Sequence, residues 1–164
     1  MSKTLQNLKD AFAGESQANR KYLAFAEKAD KEGFGQAARL FRAAAAAETI
    51  HAHAHLRAMD GIGSTADNLR EAIAGETHEF TRMYPAMIEA AEAEAERKAE
   101  RSFRYANAVE KVHADLYQKY LDGLEGLEET DMYVCPLCGY TCEGEAPDNC
   151  PVCNAKKASF FKVD

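Results

Sequence analysis

Two motifs of the type Glu-x-x-His are the residues of this sequence best suited to bind metal. Glu48 and His51 form the first motif, and Glu110 and His113 form the second. Residues three apart share one face of an α-helix, so each pair can direct a carboxylate and an imidazole at the same point. Oxygen-rich ligation with some imidazole favours iron or manganese over zinc or copper. The sequence therefore predicts a metal site to which each of two helices contributes such a pair.

Three further glutamates, Glu15, Glu76 and Glu79, belong to the same predicted site. Glu15 and Glu76 each lie on an otherwise apolar helix face, and Glu79 follows Glu76 by three residues. An ionised carboxylate is costly to desolvate without a partner, and bound cations remove both that cost and the repulsion between carboxylates. A carboxylate from each of two helices, with Glu-x-x-His from each of two others, is typical of di-iron and di-manganese four-helix bundles. Glu79 adds a ligand beyond that pattern.

Two tyrosines are candidates for supporting these carboxylates. Tyr22 follows Glu15 by two helical turns, and Tyr84 follows Glu79 by five residues. Their hydroxyls could donate hydrogen bonds to ligating carboxylates, which metal sites generally require. The alternative is that both rings pack in the apolar core, and the sequence leaves the two interpretations open.

All five cysteines lie between residues 135 and 153. Four of them form two Cys-x-x-Cys pairs separated by eleven residues: Cys135, Cys138, Cys150 and Cys153. The pattern indicates a tetrahedral thiolate site for one iron or one zinc ion. Gly139 and Asn154 follow the pairs, and both tolerate the positive φ of a tight turn around a metal. Cys142 is expected to be a free thiol.

Helices must position the carboxylates and histidines. Residues 4 to about 128 have helical periodicity, and breakers divide them into segments at about 4–31, 35–59, 66–95 and 97–126. The two halves repeat, since Phe41 to His51 matches Phe103 to His113 at an offset of 62 residues. We therefore predict an all-α four-helix bundle over residues 1–130. Residues 131–164 are predicted to form a small β/loop domain that needs a metal because it is too short for a sufficient apolar core.

The composition excludes several classes of protein. With 20 basic and 27 acidic residues the formal net charge is −7, which argues against nucleic-acid binding through phosphate contacts. The apolar runs are too short to span a membrane. Residues 1–7 carry no apolar targeting segment, so we expect a cytoplasmic protein.

Taken together, these motifs make the whole chain resemble the rubrerythrin family. The residues that carry the resemblance are Gly14-Glu15 with Tyr22, Glu48-Thr-Ile-His51, Gly75-Glu76-Thr-His-Glu79 with Arg82-Met83-Tyr84-Pro85, Glu110-Lys-Val-His113, and Tyr133-Val-Cys135-Pro-Leu-Cys138-Gly-Tyr140. The resemblance implies a ferritin-like di-iron bundle over residues 1–130 and a rubredoxin-like domain over 131–164. It also implies two iron ions in the bundle and one iron ion at the four cysteines.

The resemblance further implies a non-haem peroxidase that reduces hydrogen peroxide to water in oxidative-stress defence. The five glutamates and two histidines would hold the two irons, with Glu48 and Glu110 bridging, and Glu79 and His51 would exchange at one iron on reduction. The four-cysteine iron would return electrons from a donor such as a rubredoxin or an NAD(P)H-dependent reductase, so the activity is indirectly NADH-linked. A head-to-tail homodimer, with or without exchanged helices, is also implied.

Two other functions compete with this one. The first is a ferroxidase or iron-handling protein, for which a thiolate electron carrier has no obvious use. The second is an interaction protein with a zinc ribbon on an inert bundle. The metal content of the protein separates the three hypotheses.

Overall fold

A computed structural model describes residues 2–163 of the chain and is mostly helical. The five α-helices are α1 (Lys3–Lys31), α2 (Gly35–Ala58), α3 (Thr65–His78), α4 (Tyr84–Ala93) and α5 (Arg97–Asp122). A π-helical turn, Glu79–Met83, joins α3 to α4 without a break. The backbone contacts divide the chain into two compact units, which meet in sequence between Gly63 and Ser64.

The first unit is an antiparallel pair formed by α1 and α2. Its core consists of Ala26, Ala29 and Ala38, against which Phe41 packs. Because alanine side chains are short, the two helix backbones can approach closely at this point. Asn19 extends the contact: its Nδ2 donates to the carbonyl of Ala45 at 2.7 Å and to Thr49 Oγ1 at 2.9 Å.

The second unit contains the longer helix α5, which packs antiparallel to α3 and α4. Val109 and Ala114 are the buried residues of α5, and Ala91 is buried on α4. In the π turn the N–H of Tyr84 bonds to the carbonyl of Glu79, five residues earlier. Pro85 lies just after this turn, where its ring would clash with the carbonyl of residue 81 in a regular α-helix. The wider π turn relieves that conflict.

Three helices, α1, α2 and α4, are followed by a residue in a left-handed backbone conformation. Gly33 has φ +83°, as the glycine punctuation predicts, but Asp60 (φ 54°) rather than Gly61 takes this conformation after α2. Between α4 and α5 the residue is Ala95, with φ 58°. An alanine gives no turn signal in a sequence, which explains why this junction is poorly marked there.

The C-terminal part of the second unit holds three short antiparallel strands. They are β1 (Met132–Val134), β2 (Thr141–Glu143) and β3 (Phe161–Val163), in the order β2-β1-β3. Val134 pairs with Thr141 and with Phe161. The loops between the strands carry the cysteine pairs, and Cys135, Cys150 and Ala155 form the small core there.

The four predicted helical segments are confirmed, with the third interrupted by the π turn. The boundary predicted at residue 130 stays a prediction, because the division by contacts falls elsewhere. Within residues 2–163, no helix combines the length and apolar character required to cross a membrane.

Candidate metal centres

The four cysteine sulfurs of the C-terminal loops form one cluster. The Sγ atoms of Cys135, Cys138, Cys150 and Cys153 all lie within 4.8 Å of one another. Cys135 Sγ is 3.5 Å from Cys153 Sγ, and Cys138 Sγ is 3.5 Å from Cys150 Sγ. A tetrahedral site with metal–sulfur bonds of about 2.3 Å has edges of about 3.8 Å, so this cluster has the size of a four-thiolate metal site.

Two left-handed residues shape the loops around this cluster. Gly139 has φ +85° and Asn154 has φ 63°. The N–H of Gly139 donates to the carbonyl of Cys135 at 2.9 Å, and the N–H of Asn154 donates to that of Cys150 at 2.9 Å. These equivalent turns direct further backbone N–H groups at the sulfurs, a role that the sequence predicted for both positions.

Backbone N–H groups and burial act on the thiols in opposite directions. Burial raises the pKa of Cys135, but hydrogen bonds from the N–H groups of Leu137 and Cys138 outweigh it, and the pKa is lowered overall. At Cys138, burial dominates and raises the pKa well above its usual range. A cation would favour the thiolate form of every cysteine in this cluster, since a bound metal deprotonates thiols. The donor set therefore fits iron or zinc.

In the second unit, α3 and α5 bring together Glu76, Glu110 and His113. His113 Nδ1 lies 2.9 Å from Glu110 Oε2 and 3.8 Å from Glu76 Oε1. Burial, followed by the neighbouring Glu110 carboxylate, raises the pKa of Glu76, and His113 opposes this rise. The carboxylate oxygens of Glu76 and Glu110 lie within 4.8 Å of each other and repel, and a cation between them would convert the repulsion into attraction.

His113 also has a partner in the C-terminal sheet. Its Nε2 lies 3.0 Å from the Thr141 hydroxyl, at the start of β2. The same hydroxyl donates to the carbonyl of Gly139 at 3.0 Å. An ion pair between Lys119 and Glu143 adds a second contact between α5 and β2. The cysteine loops and the carboxylate cluster of this unit are therefore linked by hydrogen bonds.

In the first unit, α1 and α2 bring together Glu15, Glu48 and His51. His51 Nδ1 lies 2.8 Å from Glu48 Oε2, which repeats the geometry of Glu110 and His113. The His51 side chain is 55% exposed, compared with 26% for His113. Each helix pair thus supplies two carboxylates and one imidazole, a donor set that fits iron or manganese.

The structure places the remaining predicted residues as follows. Glu79 is half-buried at the start of the π turn and is not part of the Glu76, Glu110 and His113 cluster. Burial raises the pKa of Tyr84, and the carboxylates of Glu79, Glu110 and Glu76 raise it further. Tyr22 packs against Phe25 and Phe41, with ring centroids 6.4 and 6.2 Å away. The ligand role of Glu79 and the hydrogen bond of Tyr22 stay predictions.

Sequence reasoning missed Thr141 entirely. A threonine three residues after a Cys-x-x-Cys pair carries no metal signal of its own. Its importance arises from the packing of β2 against α5, which no local pattern reveals.

Comparisons with known proteins agree with this arrangement. A family model described as rubrerythrin matches residues 6–121, and one described as the rubredoxin-like domain of rubrerythrin matches residues 133–161. Rubrerythrin-2 of Clostridium acetobutylicum is 37% identical over 174 residues, covering 96% of this chain and 95% of its own. Nigerythrin of Nitratidesulfovibrio vulgaris is 38% identical over 171 residues, covering 96% of this chain and 85% of its own.

Solved structures give the same result. The structure described as the fully reduced, all-ferrous state of nigerythrin has a TM-score of 0.61 and 36% sequence identity. The comparison covers 99% of this chain and 88% of that one. A partially reduced state of nigerythrin matches equally well, with a TM-score of 0.61.

Proposed function

This chain belongs to the rubrerythrin family of di-iron proteins, and from that premise we propose that it reduces hydrogen peroxide to water. The family places a ferritin-like di-iron bundle before a rubredoxin-like domain, and it is linked to defence against peroxide. The homologues indicate an oxidoreductase. Our proposal goes beyond an oxidoreductase in general, because it specifies peroxide as the substrate and the four-cysteine iron as the route of the electrons.

One observation supports the proposal above all others. The same chain holds two Glu–Glu–His clusters and a four-cysteine cluster, and hydrogen bonds link the latter to the second Glu–Glu–His cluster. Iron storage requires only the carboxylate clusters, and a zinc ribbon requires only the cysteines. A reaction that consumes electrons at one centre and receives them from another accounts for both.

We propose seven residues as ligands of the two irons: Glu15, Glu48, His51, Glu76, Glu79, Glu110 and His113. Bound iron supplies the two electrons needed to cleave the O–O bond of peroxide, a reaction that also takes up two protons and releases two waters. Tyr84 is suited to donate a hydrogen bond to an acidic residue around the second cluster. Burial is the larger cause of its raised pKa, and the nearby carboxylates add to the rise. Glu79 and His51 are the pair proposed to exchange as the charge of the centre changes.

One iron is proposed to be held by four cysteines, and when bound there it would supply one-electron transfer: Cys135, Cys138, Cys150 and Cys153. Backbone N–H groups directed at the sulfurs stabilise thiolate charge in this loop pair. The proposal also includes an external electron-donor protein and a homodimer, as the family resemblance implies, together with a cytoplasmic location.

Metal analysis combined with an optical spectrum tests the proposal. The isolated protein should contain about three irons per chain and show ferric–thiolate absorption. The chemically reduced protein should be reoxidised by peroxide, with one peroxide consumed for each two electrons. Zinc at the cysteines together with no oxidation by peroxide would contradict the proposal.

Cys150→Ser provides the control for the electron route. This variant should lose the visible thiolate colour and donor-driven cycling, yet retain a single oxidation by peroxide at the carboxylate centre. Loss of that single oxidation as well would argue against two separate centres. Cys142→Ser, which removes the cysteine outside the cluster, should retain both activities.

A further inference from the structure

We propose that Thr141 of the C-terminal sheet is the positioning residue for His113. The proposal concerns metal binding at the second Glu–Glu–His cluster and does not depend on peroxide turnover. It starts from two contacts of one hydroxyl: Thr141 Oγ1 lies 3.0 Å from His113 Nε2 and 3.0 Å from the carbonyl oxygen of Gly139.

The Thr141 hydroxyl donates its proton to the carbonyl oxygen of Gly139. A carbonyl oxygen has no proton to share, so the contact with Gly139 exists only if Thr141 donates its proton there. The remaining lone pairs of Oγ1 must then accept a proton from His113 Nε2. Nδ1 lies 2.9 Å from Glu110 Oε2, so without a metal it can carry a proton as well; once a cation displaces that proton, the ring is neutral and its remaining proton is on Nε2.

This assignment prepares the other ring nitrogen for metal binding. With the proton on Nε2, Nδ1 is an unprotonated donor, and Nδ1 is the atom that faces Glu110 and Glu76. A histidine ligand generally needs its second nitrogen held by an outer partner, which fixes both the tautomer and the ring orientation. Thr141 is that partner, supplied by a different part of the chain from the helices that carry the ligands.

The position of Thr141 depends on the cysteine loop. Thr141 pairs with Val134 in the sheet, and Gly139 occupies the left-handed turn that follows Cys138. The N–H of Gly139 returns to the carbonyl of Cys135. The loop that surrounds the four sulfurs therefore fixes the hydroxyl that orients His113, so filling the thiolate site should favour metal binding at the carboxylate site.

A nuclear magnetic resonance experiment tests the tautomer directly. The full chain, labelled with ¹⁵N-histidine and loaded with diamagnetic Zn²⁺ at its metal sites, should show a slowly exchanging Nε2–H of His113. The signal is assigned by its loss in His113→Gln. Thr141→Val should lose it to exchange with water, while Thr141→Ser should keep it. Thr130→Val makes the same chemical change at an exposed position and should have no effect.

Metal affinity provides the second readout. With the cysteine site already filled, anaerobic titration with Fe²⁺ should show about 10–100-fold weaker binding in Thr141→Val, with recovery in Thr141→Ser. Unchanged affinity and an intact N–H signal in Thr141→Val would overturn the proposal, as would a proton on His113 Nδ1 in the Zn²⁺-loaded wild type. If Thr141→Val disturbs the ultraviolet thiolate–metal absorption, the test rests on Thr141→Ser. The Nε2–H signal of His113 retained in Thr141→Ser supports the proposal, and its loss there refutes the proposal.

Discussion

In the cluster on α1 and α2, the His51 side chain is 55% exposed and its Nδ1 contacts Glu48 within the same helix. In the cluster on α3 and α5, the His113 side chain is 26% exposed and contacts Glu110, Glu76 and Thr141. The two clusters have the same ligand types at the same spacing, yet within residues 2–163 only the imidazole of His113 has its second nitrogen in contact with a residue outside its cluster.

This difference shows that the internal repeat includes the ligand residues but not the outer hydrogen-bond partner that His113 has in Thr141. Phe41 to His51 and Phe103 to His113 agree at six of eleven positions, whereas the C-terminal sheet has no counterpart among residues 2–63. The more exposed His51 suits the ligand exchange proposed for it, and the more buried His113 suits a ligand that stays bound. The following predictions test this asymmetry.

The largest effect is expected from removing each histidine in turn. His113→Ala should reduce iron binding at the carboxylate centre by more than about 100-fold, beyond the range for loss of an outer partner alone. His51→Ala should reduce retention of ferric iron by about tenfold or less, because His51 is proposed to ligate only after reduction. Iron per chain after aerobic purification and desalting checks both values. Equal losses would remove the asymmetry.

Glu79→Ala should have the next largest effect, on turnover rather than on folding. The carboxylate proposed to exchange with His51 is lost, so peroxide turnover should fall by about 10–100-fold while most of the iron and the helical circular dichroism remain. Steady-state peroxide consumption with a chemical donor provides the measurement. Glu89→Ala, an exposed position on α4, serves as the control. Turnover at the wild-type level would refute ligand exchange at Glu79.

The smallest effect concerns the ion pair that joins α5 to β2. The hydrogen bond from Lys119 lowers the pKa of Glu143; burial opposes this, and Tyr120 lowers the pKa further. The pair therefore stabilises the fold above the ordinary Glu pKa of about 4.3 and loses this contribution as the pH falls through the lowered value.

Glu143→Gln should accordingly lower the thermal unfolding midpoint slightly at pH 7, and the difference from wild type should shrink as the pH falls below the ordinary Glu pKa of about 4.3 and vanish once Glu143 is protonated in the folded state. Thermal unfolding measured across this pH range provides the test, with Glu128→Gln on the exposed loop as the control. A difference that persists at the lowest pH would show that Glu143 acts through packing instead of charge.

Local patterns predicted the helices and the cysteine cluster because both depend on spacing along the chain. The Glu-x-x-His pairs share a helix face for the same reason, and the structure keeps both. The junction at Ala95 and the contact of Thr141 with His113 escaped prediction, because one needs an alanine in a left-handed conformation and the other needs β2 packed on α5. Pro85 was the available signal for the π turn, since a regular helix cannot accommodate its ring.

The π turn at Glu79–Met83 makes this helix sensitive to the exact number of its residues. A π turn accommodates one residue more than an α-helical turn, and one residue corresponds to about 100° of rotation. Glu76, before the turn, and Ala91, after it, both depend on that extra residue to meet α5 in their present orientation. Deletion of a single residue here would turn one of these two faces away from α5 by about 100°. Evolution can therefore exchange side chains in this turn far more easily than it can change its length.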